Sequence, residues 1–510
     1  MEMLSALDAT FIYLESEHSP MSIGAVYVID AKDAPGGFSY QTFHSLVSSR
    51  LKLSGVFRQR LVEVPLYLSF PYWVRDPGFD LDDHLPAVSL PGPGGMKELM
   101  QLAADTWGQV LNRERPLWDI TFVTGIDNIA GISKDSFALI TRVHHAAVDG
   151  KASTEMMTAL LDVTPEARTI DAEDSWEPEE LPSNLDVITH SWSKAGQKAL
   201  ELAGFVGKVA VGTAQLQSER WLKKIEPPPR LLSAPPTIFN QPINSARTFF
   251  GKNFDFERIR AIRKAVPGVT INDVVLAICA GGLRRYLSEK DELPVKPLVA
   301  MAPISVRGEE EGAGNQVSAM LVSLATDIDN ALNRLVHIRA NTQRSKIHAG
   351  ALPANKLTEF LPSETLAAAA RVYTRTRLGG HHRPFFNVTI TNVPGPPVPL
   401  YVAGARIHSA FGMAPILDGL GLILVVLSYH GRISIGINSC EQIVPDPDNM
   451  AECIAHSLDE LEHAVSQAGS FSKHAGQSMA EKVSSEDTDP LKAFHDASEA
   501  LEKAIDSLGD

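Results

Sequence analysis

Phe137-Ala-Leu-Ile-Thr-Arg-Val-His-His-Ala-Ala-Val-Asp-Gly150 decides the reading of this chain. Phe137, Leu139, Thr141 and Val143 alternate with Ala138, Ile140 and Arg142. A period of two over β-branched and aromatic residues predicts a strand. Two adjacent histidines end it, and Asp149-Gly150 follows three residues later. Beyond Gly150, Met157, Leu160 and Leu161 recur at helical spacing, which predicts a helix. The stretch is therefore a strand-to-helix turn that presents two imidazoles. Histidine is the side chain best suited to take and return a proton near neutral pH. Adjacent residues on extended backbone point to opposite faces, so one histidine faces the reaction and the other braces the turn. Zinc fits less well, because its ligands usually lie a helical turn apart or in short Cys and His pairs. Asp149-Gly150 also has a plain structural reading as turn chemistry.

Composition narrows the classes around this turn. The chain has 510 residues, enough for two domains or two fused halves. Apolar residues make up 44 % and charged residues 21 %, which allows a large core. The net charge of −15 argues against nucleic acid as a partner, while leaving room for an anionic small substrate at a local basic patch. Cys279, Cys440 and Cys453 form no CxxC pair, so a disulfide framework or zinc cluster is not expected and a reducing cytosol is. Cys279 and Cys453, on predicted helices, read as buried structural thiols. No apolar run is long enough to span a bilayer, and the N-terminus reads as no signal peptide. The expected location is cytoplasmic, with any membrane role peripheral.

Strands and helices alternate outward from the turn. Leu4 to Leu14 is amphipathic, Met21 to Asp30 is strand-like, and Ser39 caps a helix predicted to Leu53. Phe57 to Pro65 and Tyr72 to Pro77 read as an exposed strand or loop pair. After the Pro91-to-Gly95 turn, Leu99, Leu102, Ala103, Val110 and Leu111 share one helical face. Pro116-Leu117-Trp118 breaks that helix before a strand at Asp119 to Thr124. This first lobe is assigned residues 1–163. Residues 164–243 form a crossover with acidic, Pro-bearing ends. Within them 186–224 is helical and basic, a candidate surface contact for a membrane, although packing on the protein itself explains it more simply. A second lobe, 244–467, holds a capped helix from Thr270, buried strands at Pro297 to Pro303 and Asn387 to Thr391, a hairpin turning at His430-Gly431, and a last helix through Leu461. Residues 468–510 read as a polar tail.

The motifs around the turn resemble a known family. His144-His145-Ala-Ala-Val-Asp149-Gly150 is similar to the HHxxxDG motif of the CoA-dependent acyltransferase superfamily. Leu4 to Phe11, Pro20-Met21, Pro71-Tyr-Trp-Val, Pro116-Leu-Trp118, Asn272-Asp273 and Asn392 to Pro396 resemble, in order, the bacterial wax ester synthase/acyl-CoA:diacylglycerol acyltransferase family. The resemblance implies an α/β fold of two chloramphenicol-acetyltransferase-like lobes, each a mixed sheet flanked by helices, with an active-site tunnel between them.

It also implies a chemistry: transfer of a fatty acyl group from acyl-CoA to the hydroxyl of diacylglycerol or a long-chain alcohol. Such a hydroxyl needs a base to take its proton, and the thioester oxygen needs a donor as negative charge builds. His145 is the expected base, braced by His144. Asn272 is the expected donor, beside a reading as a plain helix-start residue. Asp149 holds the turn, Gly150 makes room for substrate, and Pro116, Leu117, Trp118 and Asp273 shape the tunnel. Acyl-CoA is a co-substrate, with no cofactor, metal or obligate protein partner; lipid alcohol is the other substrate, and contact with a membrane or lipid droplet is peripheral. His381-His382 reads as a solvated loop and Arg307 as a phosphate or Asp149 contact, or a surface ion pair. Two other readings remain: a carrier-protein-dependent condensation or polyketide-associated acyltransferase, and an inert lipid-surface binding protein.

Overall fold

The computed structural model describes residues 2–34, 37–147, 159–170, 174, 176–183, 186, 234–305, 317–349, 363–380 and 382–483. Most of the helix expected after Gly150, the basic stretch beyond residue 186, most of the linker after it, Asp149, Gly150, Arg307 and His381 lie outside the described residues.

Two six-stranded mixed sheets carry the described fold. The first runs β12 (Tyr401–Val402), β13 (Ala405–Met413), β2 (Ser22–Asp30), β7 (Phe137–His144), β6 (Trp118–Thr124) and β5 (Ala87–Ser89). Its neighbours are antiparallel except the last pair, β6 and β5. The second runs β10 (Val317–Ser323), β9 (Val299–Ser305), β11 (Val388–Pro394), β14 (Ile423–Tyr429), β15 (Arg432–Cys440) and β8 (Arg247–Asp255). There β11 is parallel to both β9 and β14. The hairpin β14–β15 turns where expected, with His430 at φ 42° and Gly431 at φ 77°, the left-handed region a tight hairpin demands.

Helices cover these sheets: α1 (Ala6–Leu14), α2 (Tyr40–Arg50), α3 (Met96–Trp107), α4 (Phe256–Ala265), α5 (Ile271–Glu289), α6 (Ala331–Ala349), α7 (Ser363–Thr376) and α8 (Pro447–Val483). Ser39 caps α2, its hydroxyl accepting from Thr42 N–H. Thr270 and Asp273 form the reciprocal capping box of α5. Val274, Val275, Ile278, Leu283 and Leu287 of α5 are fully buried among α4, α6, α8 and the second sheet. The three cysteines are buried thiols, and burial pushes Cys279 up to about 12.

The structure corrects the sequence reading at several points. Helix α3 stops at Trp107, because Gly108 caps it, so Val110 and Leu111 lie beyond its end. The segment read as an exposed pair is a small sheet of β1 (Glu2–Met3), β4 (Tyr72–Arg75) and β3 (Gln59–Val62). Leu61 is buried under α1, and Tyr72 and Val74 are buried as well. The last helix continues past 467 to Val483, so the expected tail starts inside α8. Strand β13 belongs by sequence to the second half yet pairs with β2 of the first sheet. The two halves are therefore stitched by backbone hydrogen bonds. Glycine permits the close approach at this seam: a Cβ on Gly412 would sit 2.3 Å from Val425 Cγ1, and one on Gly436 2.4 Å from the Gly412 carbonyl oxygen.

Candidate active site

Strand β7 delivers the paired histidines and then tightens into a 3₁₀ turn over His145–Ala147. Each backbone N–H of the pair is tied down separately. His144 N–H donates to the Leu117 carbonyl at 2.9 Å, and His145 N–H donates to the Met21 carbonyl at 2.7 Å. The two rings then part as strand alternation requires. His144 is fully buried. His145 lies against Phe11 of α1, ring centroids 3.8 Å apart and nearly parallel, and lines the large cavity between the sheets.

The His144 tautomer follows from its partners. Ala146 N–H donates to Nδ1 at 3.0 Å, so Nδ1 is the acceptor and the ring proton sits on Nε2. Nε2 faces Glu15 Oε1 at 3.3 Å, a close approach rather than an aligned hydrogen bond. Glu15 carries a wider network. Its other oxygen accepts from Arg113 Nη2 at 2.9 Å and Nε at 3.1 Å, and Oε1 accepts from Met21 N–H at 3.1 Å. Burial pushes the Glu15 carboxyl up, but His144, Arg113 and Met21 outweigh it and hold it below its usual range. Sequence reading missed Glu15, which lies far from the motif in the chain. Glu15→Ala is expected to cost about 2 kcal/mol, the size of a charged buried hydrogen-bond network. Because the folded carboxyl is lowered, that contribution is present above the usual carboxylate range and vanishes as pH falls through the lowered value. Urea midpoints for wild type and variant should therefore differ at pH 7 and converge in acid.

His145 itself is held as the neutral imidazole. Burial, with a further push from His144, lowers it to about 4. Its Nδ1 is buried with no hydrogen-bond partner among the described residues. An unpartnered buried nitrogen is costly unless a ligand supplies the missing bond.

The cavity measures about 620 Å³. One wall is the first sheet, with Ile23, Ala25, Thr141 and Val143; the other is the second, with Met301, Thr389, Thr391, Ile423 and Val425. The lining is mainly apolar, as a long alkyl substrate requires. Arg142 also reaches it but is fully engaged by Asp119 and the Thr106 and Gln109 carbonyls. Thr391 stands out: it lines the cavity, and its Oγ1 is buried with no partner among the described residues.

Other expected site residues lie elsewhere. Asn272 does not line the cavity; its Oδ1 accepts from Asn392 Nδ2 at 3.1 Å. Asp273 is fully buried and consumed by the helix cap and by Thr342 Oγ1 at 2.6 Å. Pro116, Leu117 and Trp118 do not line the cavity either. Leu117 and Trp118 are buried in the core, the Trp118 indole N–H bonded to the Phe57 carbonyl and its ring stacked on His84. This motif positions the histidine turn through the Leu117 carbonyl instead of shaping the tunnel. His382 is half-buried, its Nδ1 2.7 Å from the Arg383 carbonyl oxygen.

Two helix-flanked mixed sheets with a histidine facing the cavity between them define a two-lobed acyltransferase. The match to the wax ester synthase/diacylglycerol acyltransferase catalytic domain spans residues 4–275, and that to the family's C-terminal domain spans 313–462. The chain belongs to the wax ester synthase/diacylglycerol acyltransferase family. It is 32 % identical over 471 residues to a Mycobacterium tuberculosis protein named for diacylglycerol O-acyltransferase activity, covering 90 % of each chain. It is 30 % identical over 492 residues to the O-acyltransferase WSD of Acinetobacter baylyi, covering 92 % of this chain and 98 % of that one. Among solved structures, the wax ester synthase/diacylglycerol acyltransferase of Marinobacter aquaeolei is similar at TM-score 0.65 and 28 % identity, over 91 % of this chain and 100 % of that one.

Proposed function

We propose that this enzyme transfers a fatty acyl group from acyl-CoA to the hydroxyl of diacylglycerol, and to long-chain alcohols as a second acceptor class, with His145 as general base. The observation that carries the reading is an imidazole held neutral on the wall of an apolar cavity of about 620 Å³. His145 takes the proton of the acceptor hydroxyl, the oxygen attacks the thioester carbonyl, and the tetrahedral intermediate collapses with loss of the CoA thiolate. The proton held by His145 then goes to that thiolate. Thr391 replaces Asn272 as the donor to the developing oxyanion, because Thr391 lines the cavity and its buried Oγ1 has no partner among the described residues, while Asn272 does not line the cavity. His144 and Glu15 position the turn and take no proton from substrate. Both acceptors are water-insoluble, so the enzyme meets them at a lipid surface. Among the described residues no helix is long and apolar enough to cross a membrane.

Release of free CoA thiol from palmitoyl-CoA tests the reading, with dioleoylglycerol and hexadecanol offered separately. Thiol release that depends on either acceptor supports it, and the faster acceptor names the preferred class. Absence of release with both would overturn it. The lowered His145 also sets a pH expectation. Because kcat/KM reports the free enzyme, it should stay level from about pH 6 to 8 and fall only as pH approaches about 4. A fall centred on the ordinary imidazole range instead would mean that His145 is not the titrating base.

A further inference from the structure

The first sheet carries more than the histidine. Leu139, Thr141 and Val143 recur at two-residue steps, so β7 aims these side chains at one face, and His145 follows just past the end of the strand. On β2, Ile23, Ala25 and Tyr27 pair opposite Val143, Thr141 and Leu139, and on β6 Ile120 pairs opposite Thr141. The large cavity follows this face from His145 as far as Tyr27, Ile120 and Leu160. A second, small cavity of about 20 Å³ begins there. Tyr27, Ile120, Thr141 and Leu160 line both spaces. Its floor is Phe43 and Leu46 of α2, with Leu139 beside them.

This small space is chemically plain. Of its nine lining residues only Tyr27 and Thr141 carry a hydroxyl, and Thr141 Oγ1 is engaged by the Ala25 backbone N–H at 3.0 Å and carbonyl at 3.2 Å. A void lined in this way does not hold water well and leaves its walls short of contacts. It has room for about one methyl-sized group. Six residue steps lead from Leu139 to His145, a run of ~20 Å, which suits a long alkyl chain.

We propose that the small cavity is the terminal-methyl site of an alkyl channel that starts at His145, and that Phe43, Leu46 and Leu139 set the chain length accepted. The inference rests on the acyltransferase reading and adds the place where one substrate tail ends. The tail is either the acyl group of the thioester or the alkyl chain of the acceptor, and both have the same end-group chemistry.

Two variants act in opposite directions. Leu46→Ala deepens the floor, and Leu139→Phe fills the cavity. One series varies acyl-CoA from 12 to 22 carbons against dioleoylglycerol, and the other varies the alcohol against palmitoyl-CoA. Each buried methylene is worth about fourfold, so a two-carbon extension is worth about 15-fold. Leu46→Ala is expected to favour chains two carbons longer by about 15-fold in kcat/KM, in one series alone, which names the tail. Leu139→Phe should shift that same series to shorter chains. Calorimetric titration with free saturated fatty acids of the same lengths reads the site without turnover. If wild type binds fatty acids but releases no CoA, the function fails and the channel stands. Unchanged length profiles in both series and in the titrations, with Leu46→Ala folded by its thermal melt, would overturn the channel; Phe43→Leu replaces Leu46→Ala should that variant not fold.

Discussion

His145→Ala is expected to lower kcat for CoA release by roughly 10²–10⁴-fold, the range that positioned proton transfer contributes. The side chain meets the conditions for that loss. It lines the cavity, and it is neutral well above pH 4. Its backbone is fixed by Met21 whichever side chain is present, so the variant should keep the turn. The ring does lose its stacking on Phe11, so a thermal melt must accompany the rate. An intact melt with a rate near wild type would remove His145 as base and leave the apolar cavity as a binding site only.

Thr391→Val should lower kcat by roughly 10²–10³-fold with little change in KM for acyl-CoA, the pattern of a donor that acts on the oxyanion alone. Valine keeps the shape and removes only the hydroxyl, and no described residue loses a hydrogen bond in the change. Thr391→Ser should restore most of the rate. Asn272→Ala gives the contrast. It breaks the amide pair with Asn392 at 3.1 Å and should cost far less in kcat. The reverse order, a severe loss in Asn272→Ala and a mild one in Thr391→Val, would return the donor role to Asn272.

Much of this was legible in the sequence because local periodicity and turn chemistry are local facts. The alternation through Val143 set a strand and sent His144 and His145 to opposite faces. Thr270 and Asp273 announced a helix start, and His430-Gly431 a hairpin. The family motifs carried the two-lobed fold. What sequence could not rank was proximity between distant segments. Asn272 read as the oxyanion donor, and Asp273 and Pro116-Leu-Trp118 as tunnel residues; yet Asn272 lies off the cavity with its Oδ1 on Asn392, Asp273 is taken up by a helix cap, and Trp118 by the core.

Tertiary structure alone decided the rest. It placed Glu15 beside Nε2 of His144, 129 positions along the chain. It carried β13 from the second half into the first sheet, and it put Thr391 on the cavity wall. The physical reason is the range of each signal. Side-chain direction along a strand repeats every two residues and is written in neighbouring letters. A hydrogen-bond partner, a buried charge's counter-ion or the end of a cavity depends on which distant segments pack together, and that is settled only when the whole core closes.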